Sequence, residues 1–250
     1  MIPYFYYPTI TLGPITIFTW GLFVGLGLLI GYFIARRAII EKGLDVVIFE
    51  KIALYMIIAG FVGARLGHVL FYERGYFLIE PMKVFAIWEG GMSSFGGLIA
   101  AGFVGLYFWK KENIDYWLYA DCTMFGLTAG WTIGRVGCFL IHDHPGTASD
   151  FFLAAKDKDG IARHDLGLYD GIVSLLLFDM MWQLTKFGKL RSGLVTLFVI
   201  AMYSTARFFL DFLRVADTRH FGLTFAQYAS VGLFVWVLVM LRRRSIFKWL

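Results

Sequence analysis

Long apolar runs separated by short clusters of charge recur from about residue 15 to residue 241. They lack the two-residue alternation of a barrel strand, so they read as helices. A helix needs about 20 mostly apolar residues to cross a bilayer, and only helices and closed barrels satisfy their own backbone groups in lipid. Seven runs come near that length: 15–36, 47–72, 92–109, 116–141, 169–186, 194–213 and 223–241. The pattern predicts an all-α membrane protein of about seven transmembrane helices, a single polytopic domain over residues 1–250.

Two stretches interrupt the pattern. FAIWEGGMSSFGG, Phe85 to Gly97, is too short to cross and is broken by paired glycines, which predicts a re-entrant or interfacial segment. Ile141 to Leu168 is too long for a simple connection and predicts an external loop over 142–168, with KDKDG as its turn.

Composition agrees with a membrane class: 59% of the residues are hydrophobic and 19% aromatic, against about 45–50% apolar in soluble domains. The net charge of +5 is spread over short clusters between spans, which argues against a nucleic-acid partner. One set of loops carries Arg36, Arg37, Lys42, Lys110, Lys111, Lys186, Lys189, Arg191 and the basic tail; the other set is dilute in base and rich in acid. The positive-inside rule then predicts an outside N-terminus and a cytoplasmic C-terminus. Met1 to Gly13 has no basic n-region, so the first span is expected to be retained. Cys122 and Cys138 fall sixteen residues apart in one predicted helix, on nearly opposite faces, and cannot pair with each other.

Three predicted spans carry an arginine in their outer third: Arg65, Arg135 and Arg207. Placing an arginine mid-membrane costs about 2.5–3.5 kcal/mol on insertion scales, so three at one depth call for anions or a wet cavity. Asp211 follows Arg207 by four residues and shares its helix face, and Arg214 extends that face. Arg65 and Arg135 have no acid on their own faces, and a phosphate matches the guanidinium fork. The predicted site is an outward-facing pocket for an anionic phospholipid headgroup, with snorkelling to the interface as the bland alternative.

The external loop adds His142, Asp143, His144, Arg163, His164 and Asp165. A neutral imidazole there could take a proton from a thiol or hydroxyl. The spacing HDH is not a recognised zinc signature, so no metal and no cofactor is expected. Trp88, Trp117 and Trp131 read as interface anchors. Asp121 and Asp179 read as a second polar site or as helix-to-helix hydrogen bonds, and Gly60, Gly63 and Gly67 as a close-packing face.

Six stretches together resemble one family, the bacterial prolipoprotein diacylglyceryl transferases. They are GARLGHVLFY (Gly63 to Tyr72), WEGGMSSFGGLIA (Trp88 to Ala100), GRVGCF (Gly134 to Phe139), RHDLGLYDG (Arg163 to Gly171), RFFLDFLR (Arg207 to Arg214) and LTFAQYAS (Leu223 to Ser230). They occur in the family's order. The resemblance implies a seven-helix inner-membrane transferase whose active site faces the periplasm or outside. Such an enzyme moves the diacylglyceryl group of phosphatidylglycerol onto the lipobox cysteine of a secreted prolipoprotein and releases glycerol phosphate. It implies that Arg135 and Arg207 are catalytic cations. The substrate-binding set expected from loop and motifs together is Arg65, Gly96, Gly97, Cys138, Asp143, His164, Tyr169 and Asp211.

The chain departs from the family pattern at several points. Phe95 stands where the family commonly has histidine, Asp211 replaces glutamate, HDHPG follows GRVGCF, and Asp165 and Gly167 replace proline and glutamine in the segment similar to RHPSQLYE. His142 or His144 is expected to supply the base absent at Phe95. Two other classes fit the same residues: a non-catalytic protein that binds or transports anionic phospholipid, and a related lipid-modifying enzyme with another acceptor or a metal-assisted hydrolase. A monomer is the working expectation.

Overall fold

The computed structural model describes residues 1–71, 74–86, 91–187, 191–215 and 219–243. The chain divides into two compact units, Ile39–Tyr119 and the remainder, Met1–Ala38 with Ala120–Leu250.

In Ile39–Tyr119 the main elements are helices α2 (Val46–Phe71), α3 (Arg74–Ile79) and α4 (Ser94–Glu112), with a 3-10 turn at Pro81–Phe85. Asp45 starts α2 by accepting hydrogen bonds from the N–H groups of Val47 and Ile48 at 2.8 and 3.2 Å. Ser93 caps α4 by accepting from Gly96 N–H, and Asn113 ends it in the left-handed region at φ 50°. α2 and α4 meet through glycine. A Cβ on Gly96 would collide with the carbonyl of Gly63, and one on Gly97 would come within 2.9 Å of the Gly60 carbonyl oxygen. The Gly60, Gly63, Gly67 face is therefore a close-packing face, as expected. On other sides α2 exposes Leu54, Ile58, Phe61, Val62, Leu66 and Leu70, an apolar surface suited to lipid rather than water.

The other unit opens with a hairpin, β1 (Thr9–Leu12) and β2 (Ile15–Phe18), that leads into α1 (Thr19–Glu41). The expected first span begins at 15. Instead the alternating, β-branched ITIF pairs with TITL, and the helix starts four residues later. α5 (Tyr116–Ile141) packs on α1 through Gly27 against Gly130 and Gly31 against Gly126, where any Cβ would strike the facing carbonyl. α6 (Leu166–Phe187), α7 (Leu194–Leu210) and α8 (Phe225–Arg243) complete the long helices described for this unit. Met181, Val195 and Val199 form a buried cluster with Met124 and Phe125 packed against it.

Polar devices fix the helix ends. Gly193, the N-cap of α7, has no side chain to offer. Asp121 of α5 replaces it, accepting from Gly193 N–H at 2.6 Å and from the N–H and hydroxyl of Thr196 at 2.8 and 2.7 Å. α8 begins with a reciprocal capping box in which Gln227 N–H donates to the Thr224 hydroxyl and Thr224 N–H to Gln227 Oε1.

The 142–168 loop forms a small antiparallel sheet in the order β3 (Pro145–Ala148), β5 (Ala162–Asp165), β4 (Ala155–Lys156). KDKDG is its turn: Asp157 Oδ1 accepts from the N–H groups of Asp159 and Ile161, and Gly160 takes φ 76°. Five described helical segments are long and apolar enough to cross a membrane: Thr19–Glu41, Val46–Leu70, Tyr116–Ile141, Leu194–Leu213 and Phe225–Arg243. The Phe85 to Gly97 segment lies partly outside the described residues, since 87–90, with Trp88, are not described, and nor is the side chain of Phe95.

Candidate active site

Three helix ends bring the site together in the larger unit. The last turns of α5 carry Arg135 and Cys138, the first two turns of α6 carry Tyr169 and Asp170, and α7 ends in Arg207 just before Asp211 and Arg214. α6 approaches α5 closely at Gly167, where a Cβ would lie 3.1 Å from the Cβ of Cys138 and 3.0 Å from Phe139 N. A glutamine at that position would have no room.

Arg135 Nη2 lies 2.8 Å from Asp170 Oδ2, and Arg207 Nη1 lies 3.3 Å from the same oxygen. Arg207 Nη2 reaches Asp211 Oδ1 at 3.2 Å, with Arg214 Nη1 3.8 Å from that atom. Asp170 and Asp211 are each 1% exposed, so these carboxylates depend on the arginines for solvation. Trp131 lies under the Arg135 guanidinium, 5.0 Å from ring centre to Cζ. Thr224 donates its hydroxyl to Asp211, and Gln227 Nε2 donates to Phe208 O at 3.1 Å. The LTFAQYAS stretch thus caps α8 and holds Asp211 at once.

The expectation that Arg135 lacks an internal counter-ion is not what the fold provides. Its partner, Asp170, lies 35 residues away in sequence and on another helix. Asp170 is the residue that sequence reasoning missed. The signal for it was the acid following Tyr169 in RHDLGLYDG, one residue before a glycine. Gly171 allows Arg135 in, since a Cβ there would meet the Arg135 Cβ at 3.2 Å.

Beyond α5 the chain turns sharply. His142 adopts φ 47°, a left-handed conformation that is uncommon outside glycine but that histidine, like asparagine and aspartate, takes more readily than most. Its Nδ1 meets Asp165 Oδ2 at 2.6 Å, while Asp165 Oδ1 accepts from Leu168 N–H at 3.0 Å, the N-cap contact of α6. Phe5 and Phe139 flank the imidazole, and its Nε2 is buried without a hydrogen-bond partner among the described residues. A cavity of about 30 Å³ beside it is lined by His142, Pro145, Ala155, Lys156, Asp157, Arg163, His164 and Asp165. His164 Nδ1 pairs with the Tyr169 hydroxyl at 2.8 Å.

Asp143 and His144 follow on the turn, with Asp143 Oδ1 3.7 Å from His144 Nε2. Arg135 Nη1 donates to Cys138 Sγ at 3.8 Å, and Cys138, Asp143 and His144 each place a polar atom within 4.8 Å of the others. Such a trio has the donor types of a metal site, yet Arg135, Arg207 and Arg214 all act on His144, and three guanidiniums oppose a dication while favouring an anion. Burial, reinforced by those arginines, pushes His144 down to about 3. Burial also pushes Asp143 up to about 6, with Asp165 adding to the rise and Arg135 opposing it.

Arg65, Gly96 and Gly97 belong to the Ile39–Tyr119 unit. Arg65 is 6% exposed and its guanidinium donates to the carbonyls of Lys83, Val84, Ala86 and Gly91, with the Phe77 ring 5.2 Å away. Those carbonyls are the internal acceptors that no acid on its own helix face supplied. Gly96 and Gly97 lie in the α2–α4 packing face described above.

The family model for prolipoprotein diacylglyceryl transferase matches residues 8–243. Curated relatives with the name phosphatidylglycerol–prolipoprotein diacylglyceryl transferase include one from Bordetella parapertussis, 30% identical over 88% of this chain and 88% of its own length. Relatives from Geobacter sulfurreducens and Geobacillus kaustophilus are each 31% identical, over 81% and 90% of this chain and 80% and 87% of their own lengths.

Proposed function

The chain belongs to the prolipoprotein diacylglyceryl transferase family, and on that premise we propose how its own residues carry the transfer. The enzyme is a transferase that moves the diacylglyceryl group of phosphatidylglycerol onto the lipobox cysteine of a prolipoprotein. Glycerol phosphate leaves.

The observation that carries the assignment of the donor site is the convergence of Arg135 and Arg207 on one oxygen, Asp170 Oδ2, at 2.8 and 3.3 Å. Two guanidiniums focused on a single anionic atom provide the geometry that a phosphate oxygen requires. Charge on the departing phosphate grows as the carbon–oxygen bond breaks, so the same two cations stabilise the transition state more than the bound donor. Arg214 and Asp211 brace Arg207, and Tyr169 with His164 and Cys138 with Asp143 line the approach. Gly96 and Gly97 hold α4 against α2, and Arg65 ties α2 to the carbonyls of Lys83, Val84, Ala86 and Gly91; a part in donor binding is proposed for these three as well.

The acceptor thiol needs a base, since a free cysteine has a pKa of about 8.5. The HDH turn supplies it in place of the histidine absent at Phe95. His144 stays unprotonated at neutral pH and borders the arginine cluster, while His142 is oriented by Asp165. The chain lies in the bacterial inner membrane with seven spans, α3 being too short to cross, its N-terminus outside and its C-terminus cytoplasmic. The site then faces the periplasm or outside, where prolipoproteins emerge, and the protein acts as a monomer.

The test is to mix purified protein with labelled phosphatidylglycerol and a lipobox peptide. A thioether-linked diacylglyceryl peptide with free glycerol phosphate is expected, and loss of product in Arg135→Ala and Arg207→Ala. Lipid binding without any product would overturn the catalytic reading.

A further inference from the structure

Displacement at the glycerol carbon forms a carbon–sulfur bond and breaks a carbon–oxygen bond. Two protons are at issue. The thiol must lose one, and the phosphodiester, a monoanion while bound, departs as a monoester dianion unless it gains one. A site that performs both transfers needs a base beside the sulfur and an acid beside the phosphate.

Resting on the transferase reading above, we propose that Asp143 and His144 form one acid–base couple, the imidazole taking the acceptor thiol's proton and the carboxyl group protonating the phosphate as it leaves. The two side chains touch, with Oδ1 and Nε2 3.7 Å apart. They share a 4.8 Å cluster with Cys138 Sγ, which itself accepts from Arg135 at 3.8 Å. The couple therefore abuts the guanidinium proposed to hold the phosphate. Its backbone is fixed on both sides: His142 turns the chain at φ 47°, and the His144 carbonyl accepts from Leu166 N–H at 3.1 Å where α6 begins.

The surroundings assign the roles. His144 faces Arg135 from α5, Arg207 from α7 and Arg214 beyond it, and with burial these keep the imidazole bare. Asp143 faces Arg135 and Cys138 from α5 and Asp165 from β5, and burial keeps its carboxyl protonated to about 6. Free in water, histidine holds its proton to a higher pH than aspartate. Here the order is reversed, and paired groups pushed apart in this way mark an acid and a base. A phosphate seated on Arg135 offsets the cation that most opposes the rise at Asp143, so donor binding favours the acid form. After transfer the couple is left as carboxylate and imidazolium in contact. Passage of the proton from His144 to Asp143, through one water or a small approach of the two side chains to hydrogen-bond distance, restores it. The thiol's proton thus ends on glycerol phosphate, with no other reactant needed.

The experiment compares wild type, Asp143→Asn and His144→Gln on phosphatidylglycerol and on a diacylglycerol 3-sulfate, whose departing sulfate needs no proton. Asp143→Asn is expected to lose about 10²-fold in kcat with phosphatidylglycerol, the usual scale of general-acid help, and far less with the sulfate ester. His144→Gln should lose with both donors, and its deficit should shrink as pH rises through about 8.5, where the thiol ionises unaided. On phosphatidylglycerol alone, the alkaline fall of wild-type kcat should vanish in Asp143→Asn. An equal loss with both donors, or an unchanged alkaline fall, overturns the couple while wild-type turnover keeps the transferase reading. Absence of thioether product from wild type with phosphatidylglycerol overturns both.

Discussion

Arg135 and Asp170 lie 2.8 Å apart, and Asp170 Oδ2 takes a second guanidinium, Arg207, at 3.3 Å. One buried carboxylate thus aims two cations, from α5 and α7, at a common point. Removing it strips Arg135 of this buried counter-ion and leaves Arg207 with Asp211 alone of its two. Asp170→Ala is expected to destabilise the protein by about 3–5 kcal/mol, as for other buried pairs broken on one side. Thermal unfolding in detergent measures this, and added phosphatidylglycerol should recover more stability in Asp170→Ala than in wild type.

Arg135→Lys keeps the charge but loses the fork. Arg135 reaches Asp170 and Cys138 through different nitrogens and lies over Trp131, three contacts that an ammonium on a flexible stem does not reproduce. Transfer to a lipobox peptide should fall by about 10²-fold or more, the scale seen when a transition-state donor is lost. Near-normal turnover would refute the phosphate role of Arg135.

Thr224 reaches Arg207 through Asp211. Its hydroxyl donates to Asp211 while accepting from Gln227 N–H at 3.2 Å, and Thr224 is 1% exposed. Thr224→Val removes both contacts and should cost about 1–3 kcal/mol for the buried carboxylate left short of a donor. Thr224→Ser should restore stability and phosphatidylglycerol affinity together. A Val variant with unchanged affinity would show that the cap serves α8 alone.

Much of this was legible in the sequence, for physical reasons particular to each element. The long helices follow from unbroken apolar runs, and KDKDG from the turn preference of aspartate and glycine. Glycines 60, 63 and 67 declare a packing face because their spacing of three and four keeps them on one side of a helix. The β1–β2 hairpin was hidden because ITIF, apolar and next to a long helix, reads as that helix's first turn. Asp170 was hidden because a counter-ion 35 residues away has no periodic relation to Arg135. The left-handed His142 was hidden too, since histidine, although enriched among non-glycine residues at positive φ, adopts it too seldom to mark a turn by itself.

Asp121 joins α5 to the start of α7 through three hydrogen bonds of 2.6–2.8 Å. Capping contacts of this kind are worth about 0.5–2 kcal/mol. Asp121→Ala should lower thermal stability by that amount while leaving the kcat of transfer close to wild type, since the other end of α7 carries Arg207. A large loss of kcat in a folded Asp121→Ala protein would count against this purely structural assignment.

The reversed order of Asp143 and His144 also predicts opposed effects of pH on stability. Asp143 is raised from 3.8 to about 6 on folding, so between those values the folded state holds a proton that the unfolded state has released. Stability from this residue falls as pH rises through that window. His144 is lowered from 6.5 to about 3, so between those values the unfolded state holds the extra proton. Stability from this residue rises with pH over that range. In wild type the two slopes oppose each other from 3.8 to about 6. Asp143→Asn should expose the rising slope and His144→Gln the falling one, both measured as unfolding midpoints in detergent across pH 4 to 7. Identical profiles for the three proteins would mean that neither group's proton is controlled by the fold.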